Sequence, residues 1–470
     1  MRAFLEFFAQ CAAPAFTLLL AISAIAFRIR NKSAELHRRG SLVVAPKISP
    51  RRARRRRRHQ PGHRLTLAGE AVYPEDECKH FKFVGTTGAG KSTAIRQLLS
   101  GALRRGDRAV IADPNGAYSA SFHDSFRGDV VLNPFEKLSV RWEPFLEMHS
   151  AYDADELAAS LIHLGEDPSS REWRGYARTF VAAILRKSRG TRSGNCGELW
   201  RLIALAPVDE LRVLLLGTQA QAFLELENAR MFSSIRSVTV SSIAAVEYVV
   251  SQRARPFSVR EWVRRGKGVL FIPYSADQVA SLRSIVAAWL RLAIFEALSG
   301  AESEEQRLWF VIDELDALGA IDGLKDALTR LRKFGGRCVL GFQAVSQVSN
   351  TYGAAEAQTI IENCGNSLLL RCSASEFGGT AQFASRLIGE REVLRRQTTR
   401  TRDRRSGLSR RDLRRSIQES DQPVTESAVL PSQLEQLPDL VGYLKLASSP
   451  VWKLISLCPD TSIWRSTTSA

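Results

Sequence analysis

A glycine-rich run with one lysine and one serine lies between a short apolar segment and a helical pattern. Residues 85–92 read GTTGAGKS, after the segment FKFV at 81–84 and before AIRQLL at 94–99. Glycines let successive backbone N–H groups point at one anion, and the N-terminus of the next helix adds a positive dipole. This is a Walker A motif in its required context. The pattern predicts nucleotide binding by Gly85, Thr86, Thr87, Gly88, Ala89, Gly90, Lys91, Ser92 and Thr93.

A second apolar run, residues 308–312, ends in two acids, Asp313 and Glu314. This is the ending of a Walker B strand. Asp313 is expected to hold the Mg²⁺ shell together with the hydroxyl of Ser92, while Lys91 reaches the β- and γ-phosphates. Glu314 is expected to orient and polarise the attacking water. The sequence thus predicts an ATPase that uses ATP and Mg²⁺, with catalytic roles for Lys91 and Glu314.

Three further side chains are candidates for completing the reaction. The apolar run 338–342 ends in Gln343, whose amide is predicted to sense the γ-phosphate or the lytic water. Arg332 precedes that run and is the favoured arginine finger, a residue that completes the neighbouring subunit's site in ring ATPases. Arg371, which follows the run 368–370, is the alternative to Arg332.

These motifs require an α/β fold with a RecA-like P-loop NTPase core, in which each strand is followed by a helix. About 220 positions separate Lys91 from Asp313, far more than a minimal core needs. Helical spacing of apolar residues across this interval predicts an inserted all-α domain at 148–250. The core then has two parts, 66–147 and 251–470. Its second part resumes with a strand near residue 269, which Pro273 is expected to end.

The first 65 residues are predicted to form an anchor and a basic neck. Residues 7–27 carry no charge and suit one N-terminal transmembrane helix. The alternative is a cleavable signal peptide with a small-residue site at 24–26, which would export the nucleotide motif to a place where ATP is scarce. Between 28 and 64 the chain has many basic residues and the single acid Glu35, an excess that marks the cytoplasmic side. The bulk of the chain is therefore expected to be cytoplasmic.

The charge predicts a polyanionic partner. The chain has 66 Lys and Arg against 49 Asp and Glu, a net charge of +17, which suits nucleic acid or an anionic membrane. The run RRARRRRR at 51–58 is interpreted as a lipid-facing stop-transfer segment or a nucleic-acid contact. Ten arginines between 395 and 415 predict a loop or hairpin that contacts phosphates or is simply exposed.

Seven scattered cysteines indicate a reduced compartment. Cys78 and His80 are interpreted as structural residues.

Several segments occur together in the order found in one family. They are the Walker A region, AVIADPNGAY at 109–118, VLNPFEKLSVRWEPF at 131–145, FVIDELDALGAIDGL at 310–324 and GFQAVSQV at 341–348. In this combination the chain resembles the conjugative coupling proteins of the TraD/TrwB type, which are FtsK/HerA-like P-loop ATPases. The likeness covers most of the chain after residue 75. It differs at Asn115, where relatives often have Lys.

The resemblance implies a homo-hexameric ring on the bacterial inner membrane. Such a ring recruits DNA, expected to be single-stranded and joined to a relaxase, and delivers it to a type IV secretion channel at the expense of ATP. The helical insertion would then meet DNA, or serve as a packing module only. Two other functions stay open: a translocase of the FtsK/HerA type, and a membrane receptor or adaptor in which nucleotide binding only organises a ring that docks protein substrates.

Overall fold

The computed structural model describes residues 36–44, 65–165, 167–191, 194–303, 306–375, 379–402 and 415–458. The predicted membrane span at 7–27 lies outside these residues, as does the run 51–58. Within the described ranges no helix combines the length and apolar character needed to cross a bilayer. Contacts divide the chain into unit 1, Met1–Leu42 with Ser385–Leu430, and unit 2, Val43–Ala384 with Pro431–Ala470.

The strands are numbered in chain order. They are β1 (Leu36–Gly40), β2 (Val43–Val44), β3 (Leu65–Leu67), β4 (Glu70–Val72), β5 (Phe81–Val84), β6 (Arg108–Pro114), β7 (Val130–Val131), β8 (Arg141–Trp142), β9 (Pro256–Phe257), β10 (Val269–Tyr274), β11 (Leu308–Ile312), β12 (Gly336–Phe342), β13 (Asn366–Leu369), β14 (Glu390–Arg402), β15 (Arg415–Ser427), β16 (Val441–Lys445) and β17 (Trp452–Ser456).

The α-helices of the described residues are numbered in the same way. They are α1 (Pro74–Glu77), α2 (Lys91–Arg104), α3 (Ser119–Phe122), α4 (Asp153–Leu161), α5 (Pro168–Ser188), α6 (Cys196–Trp200), α7 (Val208–Leu214), α8 (Ala229–Ser242), α9 (Val246–Val250), α10 (Val259–Arg265), α11 (Val279–Ser299), α12 (Leu324–Arg330), α13 (Val345–Tyr352), α14 (Ala354–Asn363), α15 (Gly379–Ile388) and α16 (Pro431–Glu435). Short 3₁₀ turns and one π-helix, Arg201–Leu205, join some of them.

A mixed sheet of 10 described strands forms the centre of unit 2. Its order is β2-β17-β16-β13-β5-β12-β11-β6-β10-β7. From β13 to β7 the neighbouring strands are parallel, whereas β16 is antiparallel to both β13 and β17. The strands β5, β11 and β12 are buried along their whole length, as expected for parallel strands covered by helices on both faces.

Helix α2 follows the glycine-rich run and packs on the sheet through one apolar face. Ala94, Ile95, Leu98 and Leu99 are completely buried in the main core cluster. Full burial of a leucine side chain contributes about 1.5–3 kcal/mol, so this face fixes the helix, and with it the glycine-rich loop at its N-terminus, against the strands. Leu98→Ala would leave a cavity that costs about 2–5 kcal/mol.

The described residues between β8 and β9 contain helices, turns and no strand. Helices α4 to α9 occupy this interval, in agreement with the helical pattern of the sequence. The contacts group these helices with the rest of unit 2. The domain boundaries at 66, 148 and 251 therefore stay predictions.

The expectation that Pro273 ends a strand was wrong. Strand β10 includes Pro273 and continues to Tyr274. Its neighbour β7 pairs only with Leu270 and Phe271, so the missing N–H of Pro273 lies beyond the end of β7 and breaks no ladder there. On its other side β10 pairs in parallel with β6 through Tyr274.

In unit 1 the described residues on either side of 403–414 form two long antiparallel strands. Strands β14 and β15 pair from Glu390 with Ser427 to Arg402 with Arg415, and β1 adds a third strand on the β14 side. Residues 395–402 and 415 thus lie in paired strands, whereas 403–414 lie outside the described residues, so the loop or hairpin at 395–415 stays a prediction.

Candidate nucleotide site

The predicted site residues follow the carboxyl ends of neighbouring parallel strands. The glycine-rich loop follows β5, Asp313 and Glu314 follow β11, and Gln343 follows β12. Strand β12 lies between β5 and β11, so Gln343 is placed between the loop and the two acids. Because parallel strands end at one edge of the sheet, residues more than two hundred positions apart in sequence meet there.

The loop owes its shape to glycine. Gly88 and Gly90 have φ angles of 76° and 115°, in a region that residues with a Cβ rarely adopt. A Cβ on Gly90 would also lie 2.9 Å from Leu440 Cδ2. The backbone N–H of Leu440 donates to the carbonyl of Ala89 over 3.0 Å. Leu440, in the C-terminal part of unit 2, therefore packs against the glycine-rich loop and is hydrogen-bonded to it.

Lys91 folds back over the loop that precedes it. Its ammonium group donates to the carbonyl oxygens of Gly85 at 2.6 Å and Thr86 at 3.2 Å. Burial lowers the pKa of Lys91, and the charges of Asp313 and Glu314 oppose that shift. The lysine thus places a positive charge at the N-terminus of α2, where backbone N–H groups already favour an anion.

Asp313 joins the two predicted motifs. Its Oδ2 accepts hydrogen bonds from the Ser92 hydroxyl at 2.6 Å and from the Tyr118 hydroxyl at 2.8 Å. Its Oδ1 is buried and has no hydrogen-bond partner among the described residues. Gly341 of β12 lies so close that an added Cβ would be 2.2 Å from the Asp313 carbonyl oxygen. A serine hydroxyl beside an ionisable carboxylate is a hard oxygen pair of the kind that Mg²⁺ prefers.

Glu314 is half-buried beside Asp313. Burial raises its pKa, the charges of Asp313 and Asp316 raise it further, and Lys91 opposes them. A carboxyl group with a raised pKa is a better proton acceptor once it is ionised, as a general base requires. The physical environment of Glu314 therefore suits the role that its position after the Walker B strand predicts.

Gln343 contacts the glycine-rich loop directly. The Thr87 hydroxyl donates a 3.0 Å hydrogen bond to its Oε1. Thr87 is exposed at the tip of the loop, whereas Thr93 is half-buried in the first turn of α2. A change in the conformation of the loop at Thr87 would therefore alter the hydrogen bonding of the Gln343 amide.

The two candidate arginines lie at different places. Arg332 is exposed in the 3₁₀ turn before β12, at the amino-terminal edge of the sheet, and does not join the site of its own chain. Its role in a neighbouring subunit stays a prediction. Arg371 follows β13, its carbonyl accepts from the Thr86 N–H at 2.8 Å, and its guanidinium pairs with Asp439 at 2.8 Å. Arg371 thus belongs to the surroundings of the loop in the same chain.

Sequence reasoning singled out the segment 109–118 but missed the contact of Tyr118 with the site. Strand β6 ends beside β11 at the same edge of the sheet, and the next residues turn through Asn115 and Gly116 with φ angles of 57° and 63°. Asn115 serves here as a turn residue whose N–H donates to the carbonyl of Tyr274 at 2.7 Å. The sequence signal for a site residue here was the polar turn that follows a further buried strand, β6.

Beyond the acids, the loop after β11 reaches the helical segment. The Asp322 carboxylate accepts from Arg178 of α5 at 2.8 Å and also contacts the His163 ring. Arg178 in addition donates to the carbonyl of Ile162 at 2.6 Å. One carboxylate eight positions after Glu314 is therefore held by two side chains of the helical segment.

A glycine-rich loop between β5 and α2, and paired acids after β11, define an α/β P-loop NTPase fold. The model of the type IV secretion-system coupling protein DNA-binding domain matches residues 64–455. The chain belongs to this family of type IV secretion-system coupling proteins, which confirms the resemblance found in the sequence.

Individual relatives agree with this assignment. Coupling protein TraD of Escherichia coli strain K12 is 30% identical over 384 residues, which are 80% of this chain and 52% of TraD. Solved structures of the conjugative coupling protein TrwB are also similar. The unbound monoclinic form has a TM-score of 0.78 at 29% identity, with 92% of this chain and 96% of that chain covered.

A second structure is that of TrwB in complex with ADP and Mg²⁺. It has a TM-score of 0.77 at 29% identity and covers 91% of this chain and 96% of that chain. The likeness to TrwB confirms the predicted α/β P-loop fold. The chain spans only about half the length of TraD.

Proposed function

We propose that this chain binds ATP with Mg²⁺ at the loop between β5 and α2. The observation that carries the proposal is the meeting of Lys91, Ser92, Asp313, Glu314 and Gln343 at one edge of the sheet. The N-terminus of α2 and the ammonium of Lys91 favour the phosphates. TrwB, which has the same fold, was solved with ADP and Mg²⁺.

Ser92 and Asp313 would hold the metal. Their oxygens are 2.6 Å apart, and the second carboxylate oxygen of Asp313 is buried without a partner in the described structure. This donor set suits a hard divalent cation. When bound, Mg²⁺ neutralises charge on the phosphate oxygens and positions the terminal group.

Hydrolysis would depend on Glu314 and Gln343. The Glu314 carboxylate accepts a proton from the attacking water and orients it. Gln343, already in contact with Thr87 of the loop, reports whether the terminal phosphate is present. Arg332 of an adjacent subunit would complete the site in a ring, since its side chain is exposed and takes no part in the site of its own chain.

The chain would use this ATPase to move DNA as a coupling protein. Its family is named for a DNA-binding domain, and its net charge of +17 favours a polyanionic substrate. In this proposal a membrane-anchored homo-hexamer recruits DNA with its relaxase and delivers it to a type IV secretion channel. The anchor is the single span at 7–27, the bulk of the chain faces the cytoplasm at the bacterial inner membrane, and the helical segment and the hairpin β14–β15 face DNA.

The experiment that tests the proposal uses donor cells that express the full chain or a variant. Lys91→Ala is expected to abolish both ATP hydrolysis by the purified protein and transfer of DNA to recipients. Glu314→Gln is expected to keep ATP binding and to lose both activities, whereas an adaptor that only needs nucleotide to form a ring would still support transfer. Normal transfer with Lys91→Ala would reject the proposed site.

A further inference from the structure

Tyr118 contacts both halves of the nucleotide site, although it belongs to neither motif. Its side chain is completely buried. Its hydroxyl donates to Oδ2 of Asp313 at 2.8 Å, the oxygen that also accepts from Ser92. The guanidinium carbon of Arg96, on the same face of α2 as Ser92, lies 5.5 Å from the Tyr118 ring centroid. One ring therefore touches the helix of the first motif and the acid of the second.

The backbone around Tyr118 is held as firmly as its side chain. The buried carboxylate of Asp113, at the end of β6, accepts from the N–H groups of Tyr118 at 2.8 Å and Ser119 at 2.7 Å. The two positive φ angles at Asn115 and Gly116 turn the chain so that these N–H groups reach Asp113. The hydroxyl of Tyr118 is thus placed beside Asp313 by a turn whose backbone is hydrogen-bonded to Asp113.

The Asp313 carboxylate is confined from two sides. Its Oδ1 faces β12, where a Cβ on Gly341 would lie 2.9 Å from it. Its Oδ2 faces the hydroxyls of Ser92 and Tyr118. If the Tyr118 hydroxyl were absent, Oδ2 would keep only the hydrogen bond from Ser92, and Ser92 must also serve the metal.

We propose that Tyr118 is a positioning residue for Mg²⁺, which acts by fixing the carboxylate of Asp313 beside the Ser92 hydroxyl. The inference rests on the proposed binding of ATP and Mg²⁺ and adds a residue outside both motifs. Groups that orient a metal ligand in this way usually change metal affinity or activity by about 10–100-fold when they are removed. A tyrosine that merely fills space beside the sheet would leave Mg²⁺ binding unchanged.

Tyr118→Phe removes only the hydroxyl. Ring volume is kept, and Oδ2 of Asp313 retains the bond from Ser92, so no buried acceptor is left without a donor. The matched control is Tyr274→Phe. Tyr274 is buried at the end of β10, where burial and the charges of Glu314 and Asp313 raise the pKa of its hydroxyl. That hydroxyl has no hydrogen-bond partner among the described residues, so the control is a tyrosine near the same acids without a bond to Asp313. Thermal unfolding of all three proteins verifies that each is folded.

The measurement is binding of a fluorescent, non-hydrolysable ATP analogue to the full chain in detergent, titrated with MgCl₂ and repeated with EDTA. Tyr118→Phe is expected to raise the Mg²⁺ concentration at half-maximal binding by about 10–100-fold and to leave the affinity in EDTA unchanged. Tyr274→Phe is expected to match the wild type. An unchanged Mg²⁺ midpoint in Tyr118→Phe, or an equal shift in Tyr274→Phe, overturns the inference. If the wild type fails to bind the analogue, the proposed function itself has failed.

Discussion

The Ser92 hydroxyl donates a 2.6 Å hydrogen bond to Oδ2 of Asp313 across 221 positions of the sequence. This bond joins the first turn of α2 to the end of β11. It exists because β12 separates β5 from β11 by a single strand, so the side chains that follow the outer two strands approach one another at the sheet edge.

Ser92→Ala should separate nucleotide binding from its dependence on Mg²⁺. The methyl group cannot coordinate a cation, while the backbone N–H groups and Lys91 remain available to the phosphates. We expect the affinity for ATP in EDTA to stay the same and the enhancement by Mg²⁺ to fall at least about tenfold. Isothermal titration with and without Mg²⁺ checks this. Ser100→Ala, two turns later in α2, is the control and should retain the full enhancement.

Gly90→Ala should destabilise the protein more than Gly88→Ala. Both glycines have positive φ, which costs about 1–2 kcal/mol for a residue with a Cβ. Only at Gly90 would the Cβ also press on Leu440, since at Gly88 nothing lies within 4 Å. Urea unfolding should therefore show a larger loss of unfolding free energy for Gly90→Ala. Equal losses of unfolding free energy in the two variants would mean that the Leu440 side chain moves aside without an energetic penalty.

His80 should make the fold sensitive to mild acid. The ring is buried, accepts from the Cys338 N–H at 3.1 Å and lies 2.8 Å from the Leu328 carbonyl, an arrangement that suits the neutral form. Burial, aided by the charge of Arg337, lowers the pKa of His80 to about 4, against the bond to Leu328. In the unfolded chain the pKa of His80 is near 6.5, so the unfolded state takes up the proton before the folded state does. The stability that is present above pH 6.5 is therefore lost as the pH falls toward 4.

Between these two pKa values the loss from His80 amounts to about 3 kcal/mol. It should appear in the unfolding free energy measured by denaturant between pH 7 and pH 4.5. His80→Asn, which tolerates the positive φ at this position, should be less stable at pH 7 and lose less on acidification. His123→Asn changes an exposed histidine and should keep the steep pH dependence. A steep dependence that survives in His80→Asn would assign it to other groups.

Asp322→Asn should weaken the link between the site and the helical segment. The Asp322 carboxylate holds Arg178 and His163, and the substitution removes its charge without touching Glu314. If the helical segment meets DNA, stimulation of ATP hydrolysis by DNA should fall about fivefold, within the ordinary range of coupling between sites, while the basal rate is kept. Steady-state ATPase assays with and without DNA measure both. Asp155→Asn, which breaks an exposed pair with Arg186 inside the segment, should leave stimulation intact.

Much of the site could be predicted because short-range patterns encode it. A buried strand followed by glycines or acids specifies a strand end, and the parallel α/β pattern implies that such ends share one edge. This reasoning predicts that Lys91, Asp313 and Gln343 lie at one edge of the sheet, and the strand order places them there. The helices between β8 and β9 were likewise accessible from the spacing of apolar residues.

Other features depend on contacts that spacing does not encode. The sequence gives no sign that Tyr118 reaches Asp313, or that Leu440 braces Gly90, because both contacts depend on which strands become neighbours. Pro273 was misjudged for the same reason, since its tolerance depends on how short β7 is. Arg332 lies before β12, at the other edge of the sheet from its own chain's site, and its predicted role in a neighbouring subunit stays a prediction.

In the proposed cycle ATP is hydrolysed with Glu314 as the base, and DNA stimulates the hydrolysis. The most direct test of this cycle is the rate of ATP hydrolysis by the full chain, with and without DNA, in the wild type and in Glu314→Gln. We predict a DNA-stimulated rate in the wild type and a loss of about 10²–10⁴-fold in the variant, with ATP binding retained. Turnover in Glu314→Gln equal to that of the wild type would contradict the account.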